Sequence, residues 1–182
     1  RESLEARIKK AADLVNAHDR PAIVWCHLND ESKALAKAIP DAVEVTGSMT
    51  ADEKERAIMA FTHGEKRVIV TKPSIAGFGM NWQHCARSIF LSPSHSYEQT
   101  YQCVRRVWRF GQNRDVHIYT VTTERDGLIL DNFRRKGSEA DEMFTRLIRP
   151  EGLIASQAVR TQTPYFPTHP MILPQWLKGG AA

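Results

Sequence analysis

The chain has 182 residues, 42% hydrophobic and 25% charged, with a formal net charge of +4 from 25 basic and 21 acidic side chains. One domain of roughly 100–200 residues with a short appendage fits that length, and a core of this size needs no disulfide or metal staple. A membrane span is excluded, because the densest apolar run, Ala22–Cys26, falls far short of about 18 residues; the mild basic excess permits a nucleic-acid partner without demanding one.

Leu4, Ile8, Ala11, Ala12 and Val15 recur at helical spacing, so the first segment reads as a helix that closes before Pro21. Ile23–Cys26 is a short continuous apolar strand. Residues 31–39 read as a helix stopped by Pro40. Asp30 and Glu31 suit the positive end of that helix. Too little chain precedes the strand for a P-loop, so this acidic pair is not read as a magnesium site. Val43–Val45 is a second strand, closed by Gly47. Thr50-x-x-Glu53 is a capping box opening a helix to about Phe61, and Gly64 ends it.

Val68–Val70 forms the third strand, followed by a glycine-bearing loop over residues 73–81. Ser88–Leu91 is the fourth strand. Ser96-x-x-Gln99 reads as a second capping box, opening a helix to about Trp108, and Gly111 breaks it. Val116–Val121 is the fifth strand. Residues 125–148 read as helical, in two pieces around Gly137. Strands alternating with helices of this length predict an α/β fold with a mostly parallel sheet, covered on both faces by right-handed crossovers.

The predicted domain spans residues 1–149. Beyond it, Pro164, Pro167, Pro170 and Pro174 interrupt a stretch that also holds Tyr165, Phe166, Leu173 and Trp176. Residues 150–182 are therefore expected to be an extended, proline-rich tail. It is too apolar for a free linker and packs either on this domain or on a missing partner domain. Residue 1 is arginine, so the sequence reads as a piece of a longer protein. The cysteines, Cys26, Cys85 and Cys103, form no C-x-x-C pair, and an odd, widely spaced set points to reduced thiols in an intracellular protein.

No G-x-x-x-x-G-K-[ST], G-x-S-x-G or H-E-x-x-H occurs. The seven histidines lack ligand spacing, so no metal site is expected. In the helix after Ser96, the residues Tyr97, Tyr101, Val104 and Trp108 share one stripe and are the expected core face. Gln102, Arg106 and Arg109 fall on the opposite side, with Arg105 beside them and Arg114 past the break. Such a cluster either grips phosphate bidentately or is a solvated basic face; spacing leaves both open. Gly77-x-Gly79 implies close backbone approach or positive φ, just past a strand end where parallel sheets place ligands.

Gln102-Cys103-Val104-Arg105-Arg106-Val107-Trp108-Arg109-Phe110-Gly111-Gln112 fits Q-x-x-x-R-x-x-R-x-G-Q. It resembles motif VI of superfamily-two helicases, in the Snf-type DNA translocase branch. Ile75-Ala76-Gly77-Phe78-Gly79-Met80-Asn81-Trp82 resembles the same branch's motif V, with Ala76 in place of its first glycine. Thr46-Gly47-Ser48, Arg56 and Phe61 resemble the segment between motifs IV and V, and the strand at 23–27 sits where motif IV belongs. Order and spacing agree over about residues 20–122. Ser92 beside Pro93, where the family pattern has an acidic residue, is a departure, as is Arg105. The phrase around Ser96 and the tail are more similar to phage or prophage helicases than to eukaryotic remodellers.

The resemblance implies the second RecA-like domain of a two-domain motor, a three-layer α/β/α fold that works with an N-terminal RecA-like domain of the same protein. ATP with magnesium is the implied cofactor, its metal ligands lying on that other domain. Arg106 and Arg109 are implied as arginine fingers, with Gln102 near the phosphates or attacking water. Gly77, Gly79 and Asn81 would line the nucleotide cleft, and Thr71, Lys72, Gly47 and Ser48 would face nucleic acid, with duplex DNA expected ahead of RNA. A bacterial, cytoplasmic, nucleoid-associated location follows from the same likeness. The alternatives are a non-catalytic RecA-like binding module and the equivalent domain of an RNA helicase.

Overall fold

A computed structural model describes residues 2–76 and 79–148. The expected tail, 150–182, and Gly77 of the glycine-bearing loop lie outside the described residues. The chain divides into two compact units, Arg1–Glu139 and Ala140–Ala182. The first holds the sheet and everything built on it. In the second, the described residues are the final turns of one helix, where the Thr145 hydroxyl donates to the Asp141 carbonyl at 2.8 Å.

The elements run α1 (Glu2–Asn16), β1 (Ala22–Trp25), α2 (Asn29–Ala38), β2 (Ala42–Val45), α3 (Ala51–Thr62), β3 (Val68–Thr71), α4 (Pro73–Ala76), β4 (Arg87–Phe90), α5 (Tyr97–Val104), β5 (His117–Thr120) and α6 (Gly127–Ile148). A 3₁₀ turn, Glu124–Asp126, leads into α6. The sheet order is β2-β3-β1-β4-β5, with every pairing parallel. This is the α/β arrangement with a parallel sheet that the alternation of elements predicts.

Side-chain alternation along each strand builds two cores. Val24, Val68, Val70 and Ile89 face α1 and α2, where Ala11, Val15, Leu35 and Ile39 meet them. Ile23, Trp25, Ile69 and Phe90 face the other side and pack with Ala57 and Phe61 of α3, then Trp82, Cys103 and Val107. Each fully buried Ile, Val, Leu or Phe contributes about 1.5–3 kcal/mol, so the layers rest on these two clusters. Inside the second core the Trp25 indole N–H donates to the buried Ser88 hydroxyl at 2.8 Å.

Local signals fix the helix ends. Thr50 accepts from the Glu53 amide while the Glu53 carboxylate accepts from the Thr50 amide at 2.8 Å, the reciprocal pair expected there. Glu31 is buried, and its carboxylate accepts from the amides of His27 and Leu28, closing the start of α2. At the other end of α1, Arg67 donates to the Val15 and His18 carbonyls and Arg87 to the Leu14 carbonyl. Cations there satisfy orphan carbonyls and oppose the helix dipole.

Three expectations about elements need correction. Residues 73–76 form a turn of helix, not loop, because Pro73 suits a first helical position and the amides of Ile75 and Ala76 find the Lys72 carbonyl. α6 passes through Gly137 unbroken, since a lone glycine in a helix costs only about 1 kcal/mol. The third concerns α5 and belongs with the site.

Candidate functional site

α5 begins with half of the expected capping box: the Ser96 hydroxyl accepts from the Gln99 amide at 3.2 Å, while the Ser96 amide donates to the Ser94 hydroxyl at 3.1 Å instead of to Gln99. It ends at Val104, not near Trp108. Past that point the chain tightens: the Arg106 amide donates to the Cys103 carbonyl and the Val107 amide to that of Val104, both at 3.1 Å. This tightening rotates the following residues off the helical stripe. The expected core face is therefore wrong at Trp108, which is 54% exposed, and Tyr101, ahead of the tightening, is itself 37% exposed. Cys103 and Val107 fill the core instead, and Arg106 goes in with them at 8% exposure.

The Arg106 guanidinium is held on three sides. Its Nε donates to the Gln102 carbonyl at 3.0 Å, one Nη donates to the Met80 carbonyl at 2.9 Å, and the other lies 3.5 Å from the Gln102 side-chain oxygen. The Arg106 carbonyl accepts from the Trp82 amide at 3.0 Å. Two motif-like segments far apart in sequence are thus fastened through one residue. Burial, and then the neighbouring Arg109 and Arg105 charges, push the Arg106 pKa down from its ordinary value. Burial likewise raises the Cys103 thiol to about 12, so it stays protonated.

Arg109 is exposed and makes no salt bridge among the described residues. Arg105, the departure from the family pattern, lays its guanidinium 5.3 Å from the centre of the Trp108 ring. Phe110 beyond it is fully exposed.

The chain reverses at Gly111, with φ of +91°, a conformation that favours glycine. Gln112 then acts as a staple that spacing does not reveal. Its amide nitrogen donates to the carbonyls of Gln83, Cys85 and Val107 at 2.9, 3.2 and 3.1 Å. Its oxygen accepts from the Arg114 amide at 3.2 Å, and Arg114 reaches back to the Gln83 carbonyl at 2.7 Å. The signal in the sequence is the Gly111-Gln112 pair itself.

Gly79 is exposed with φ of +80°, and Asn81 is exposed beside it. The Met80 carbonyl between them ties this loop to Arg106, so the structure brings Gly79 and Asn81 to the exit of α5 with Gln102. The residues expected to face nucleic acid collect elsewhere. Val45 and Thr71 are paired at the carboxyl ends of β2 and β3. Gly47 and Ser48 follow the first strand and Lys72 the second. Ser48 and Gly47 are exposed and Lys72 half-buried, while the Thr71 hydroxyl is buried and donates to the Val45 carbonyl at 3.2 Å. Thr71 thus closes the strand pair, and the surface beside it is offered by its neighbours. Carboxyl ends of parallel strands are where α/β sheets bind ligands.

The sequence matches the helicase conserved C-terminal domain over residues 6–111, more than half of the chain. No curated protein matches it. Among solved structures, the fold is similar to the C-terminal part of the Fun30 ATPase domain, with a TM-score of 0.59 and 17% identity over 71% of this chain and 44% of that one. It is also similar to S. cerevisiae Dbp5 bound to RNA and ADP BeF3, with a TM-score of 0.63 and 14% identity over 72% of this chain and 36% of that one. At these identities the likeness is one of fold, and the chain spans less than half the length of either. The parallel sheet, the glycine-bearing loop fastened to Arg106 and the family match coincide on the same residues: this chain belongs to the helicase conserved C-terminal domain family.

Proposed function

We propose that the chain is the second motor domain of a nucleic-acid-dependent ATPase of the Snf type, which tracks duplex DNA. In this reading an N-terminal RecA-like domain of the same protein supplies the P-loop and the magnesium ligands. The donors here suit one wall of an ATP site: a guanidinium at Arg109 with no ion pair among the described residues, the carbonyl-held guanidinium of Arg106, and the exposed backbone of Gly79–Asn81. Guanidinium groups placed on a transferring phosphoryl group raise phosphoryl-transfer rates by about 10³–10⁵.

The observation that carries the reading is the Arg106–Met80 hydrogen bond, because it joins the nucleotide-facing residues to the segment that continues from β3. Arg109 meets the γ-phosphate directly when the two domains close. Arg106 reaches it by exchanging the Met80 carbonyl for a phosphate oxygen, and that exchange moves the loop. Gln102, hydrogen-bonded to Arg106, orients it and the attacking water. Lys72, Gly47 and Ser48 hold the phosphate backbone of the nucleic acid, so loop movement is read out at the strand ends.

The test is ATP hydrolysis by the parent protein with and without duplex DNA or RNA. The reading expects stimulation by duplex DNA, lost on Arg109→Ala and on Arg106→Ala. Stimulation by RNA instead would assign the RNA-directed branch. A parent with no P-loop and no turnover would make this a binding module.

A further inference from the structure

A cavity of about 290 Å³ opens at the amino ends of the strands, the opposite rim from Gly47 and Lys72. Its wall includes Arg20 just before β1, Arg87 at the start of β4, and Arg114, Asp115 and His117 leading into β5. Nothing in the proposed motor chemistry uses this rim.

Arg87 is only 4% exposed, and one of its terminal nitrogens is buried with no hydrogen-bond partner among the described residues. Its other terminal nitrogen is committed to the Leu14 carbonyl. An unsatisfied N–H on a buried guanidinium is costly, and such groups are rare in folded proteins. Acidic relief is scarce: Asp115 makes no salt bridge among the described residues, and those present lie elsewhere. Burial disfavours the Arg87 charge most; Tyr119 and Cys85 oppose this, and Arg67 and Arg20 add to it. The pocket therefore gathers three guanidinium groups and a histidine around one carboxylate, beside the apolar atoms of Pro21 and Ala86.

We propose that this pocket binds a phosphoryl group, with Arg20 and the part of Arg114 not engaged by Gln83 and Gln112 as rim donors and the buried guanidinium of Arg87 as the charge behind them. A tetrahedral dianion accepts from several guanidinium groups at once, whereas a single carboxylate leaves some of them uncompensated. The phosphoryl group belongs either to a nucleic-acid backbone or to a free phosphorylated small molecule; the chemistry is shared, and the source is separable by experiment.

The experiment follows backbone amide NMR signals of the 182-residue chain at fixed ionic strength. The probes are inorganic phosphate, pyrophosphate, acetate and a short DNA duplex. Saturable shifts are expected at Arg87 and at 113–117 with a phosphate-bearing probe and not with acetate. Arg87 also caps α1, so the diagnostic variant is the exposed Arg20→Glu, which should weaken binding about tenfold or more. Lys33→Glu, an equal charge reversal on α2 outside the pocket, should leave it unchanged. Shifts with the duplex alone identify backbone phosphate; shifts with pyrophosphate or inorganic phosphate alone identify a small molecule. The proposal is overturned if no probe shifts these amides, if acetate shifts them equally, or if Arg20→Glu binds as the parent chain does.

Discussion

Arg106 donates to the Met80 carbonyl at 2.9 Å across a gap of 26 residues. This makes the arginine a structural clamp as well as a source of charge, and it separates Arg106 from Arg109. Arg106→Ala leaves the Met80 carbonyl without its donor and empties a buried site, so the isolated chain should lose about 1–3 kcal/mol in urea unfolding. Arg109→Ala, at an exposed position, should leave unfolding within about 0.5 kcal/mol of the parent chain. In the full-length protein both should lose ATPase activity by about 10³-fold or more. Equal stability of the two variants would sink the clamp.

The buried Trp25–Ser88 hydrogen bond provides a second measurement. Ser88→Ala strands the indole N–H in the core and should cost about 1–3 kcal/mol. Trp25→Phe removes the donor, so the double variant should cost clearly less than the two single changes added together. A strictly additive double-mutant cycle would mean that the bond contributes nothing to stability.

Acid should weaken the fold before its carboxylates titrate. Burial lowers the pKa of His84, opposed by a hydrogen bond with the Phe61 backbone, and burial also lowers that of His27, where Glu31 opposes it. Both are therefore favoured neutral in the folded chain. The unfolded chain binds the protons first as pH falls through 6.5, the ordinary value. Stability from these groups is complete above that value and declines below it. The melting temperature should drop between about pH 7.5 and about pH 5.5, and His84→Gln should flatten the drop.

Gly137 sits inside α6, and a Cβ placed there would come 3.3 Å from the Tyr97 ring. Tyr97 is only half-buried, stacked loosely on Tyr101 and tilted against Phe133. The ring can yield by a few tenths of an ångström, so the helical preference of alanine should prevail. Gly137→Ala is expected to raise stability by something under about 1 kcal/mol, and Gly137→Leu to lower it; paired thermal melts decide.

The strands and the helices with capping signals were legible because local chemistry sets them. Val68–Val70 can only be a buried strand in so short a run, and Thr50 with Glu53 closes a helix end with atoms a few residues apart. The end of α5 was not legible, because tertiary contacts decide it. Periodicity carried the helix to Trp108, but Cys103 and Val107 gain more by entering the core than the helix gains from another turn. The same rotation buries Arg106, so a guanidinium that spacing placed on the solvent side is found among carbonyls. Gln112 escaped for a related reason: its three acceptors lie in segments whose proximity only folding creates.

The sheet order carries a consequence for how the chain emerges from the ribosome. β1 is made first, yet both of its partners, β3 at residues 68–71 and β4 at 87–90, come after β2. β2, next in synthesis, pairs with β3 alone. Until Thr71 has left the exit tunnel, neither early strand has a hydrogen-bonding neighbour. The apolar run Ala22–Trp25 must therefore wait, unpaired and aggregation-prone, for about as long as it takes to make 46 further residues, a delay of seconds at bacterial or slower rates. Synonymous codon changes that slow translation between β1 and β3 should lower soluble yield more than the same changes placed after β4.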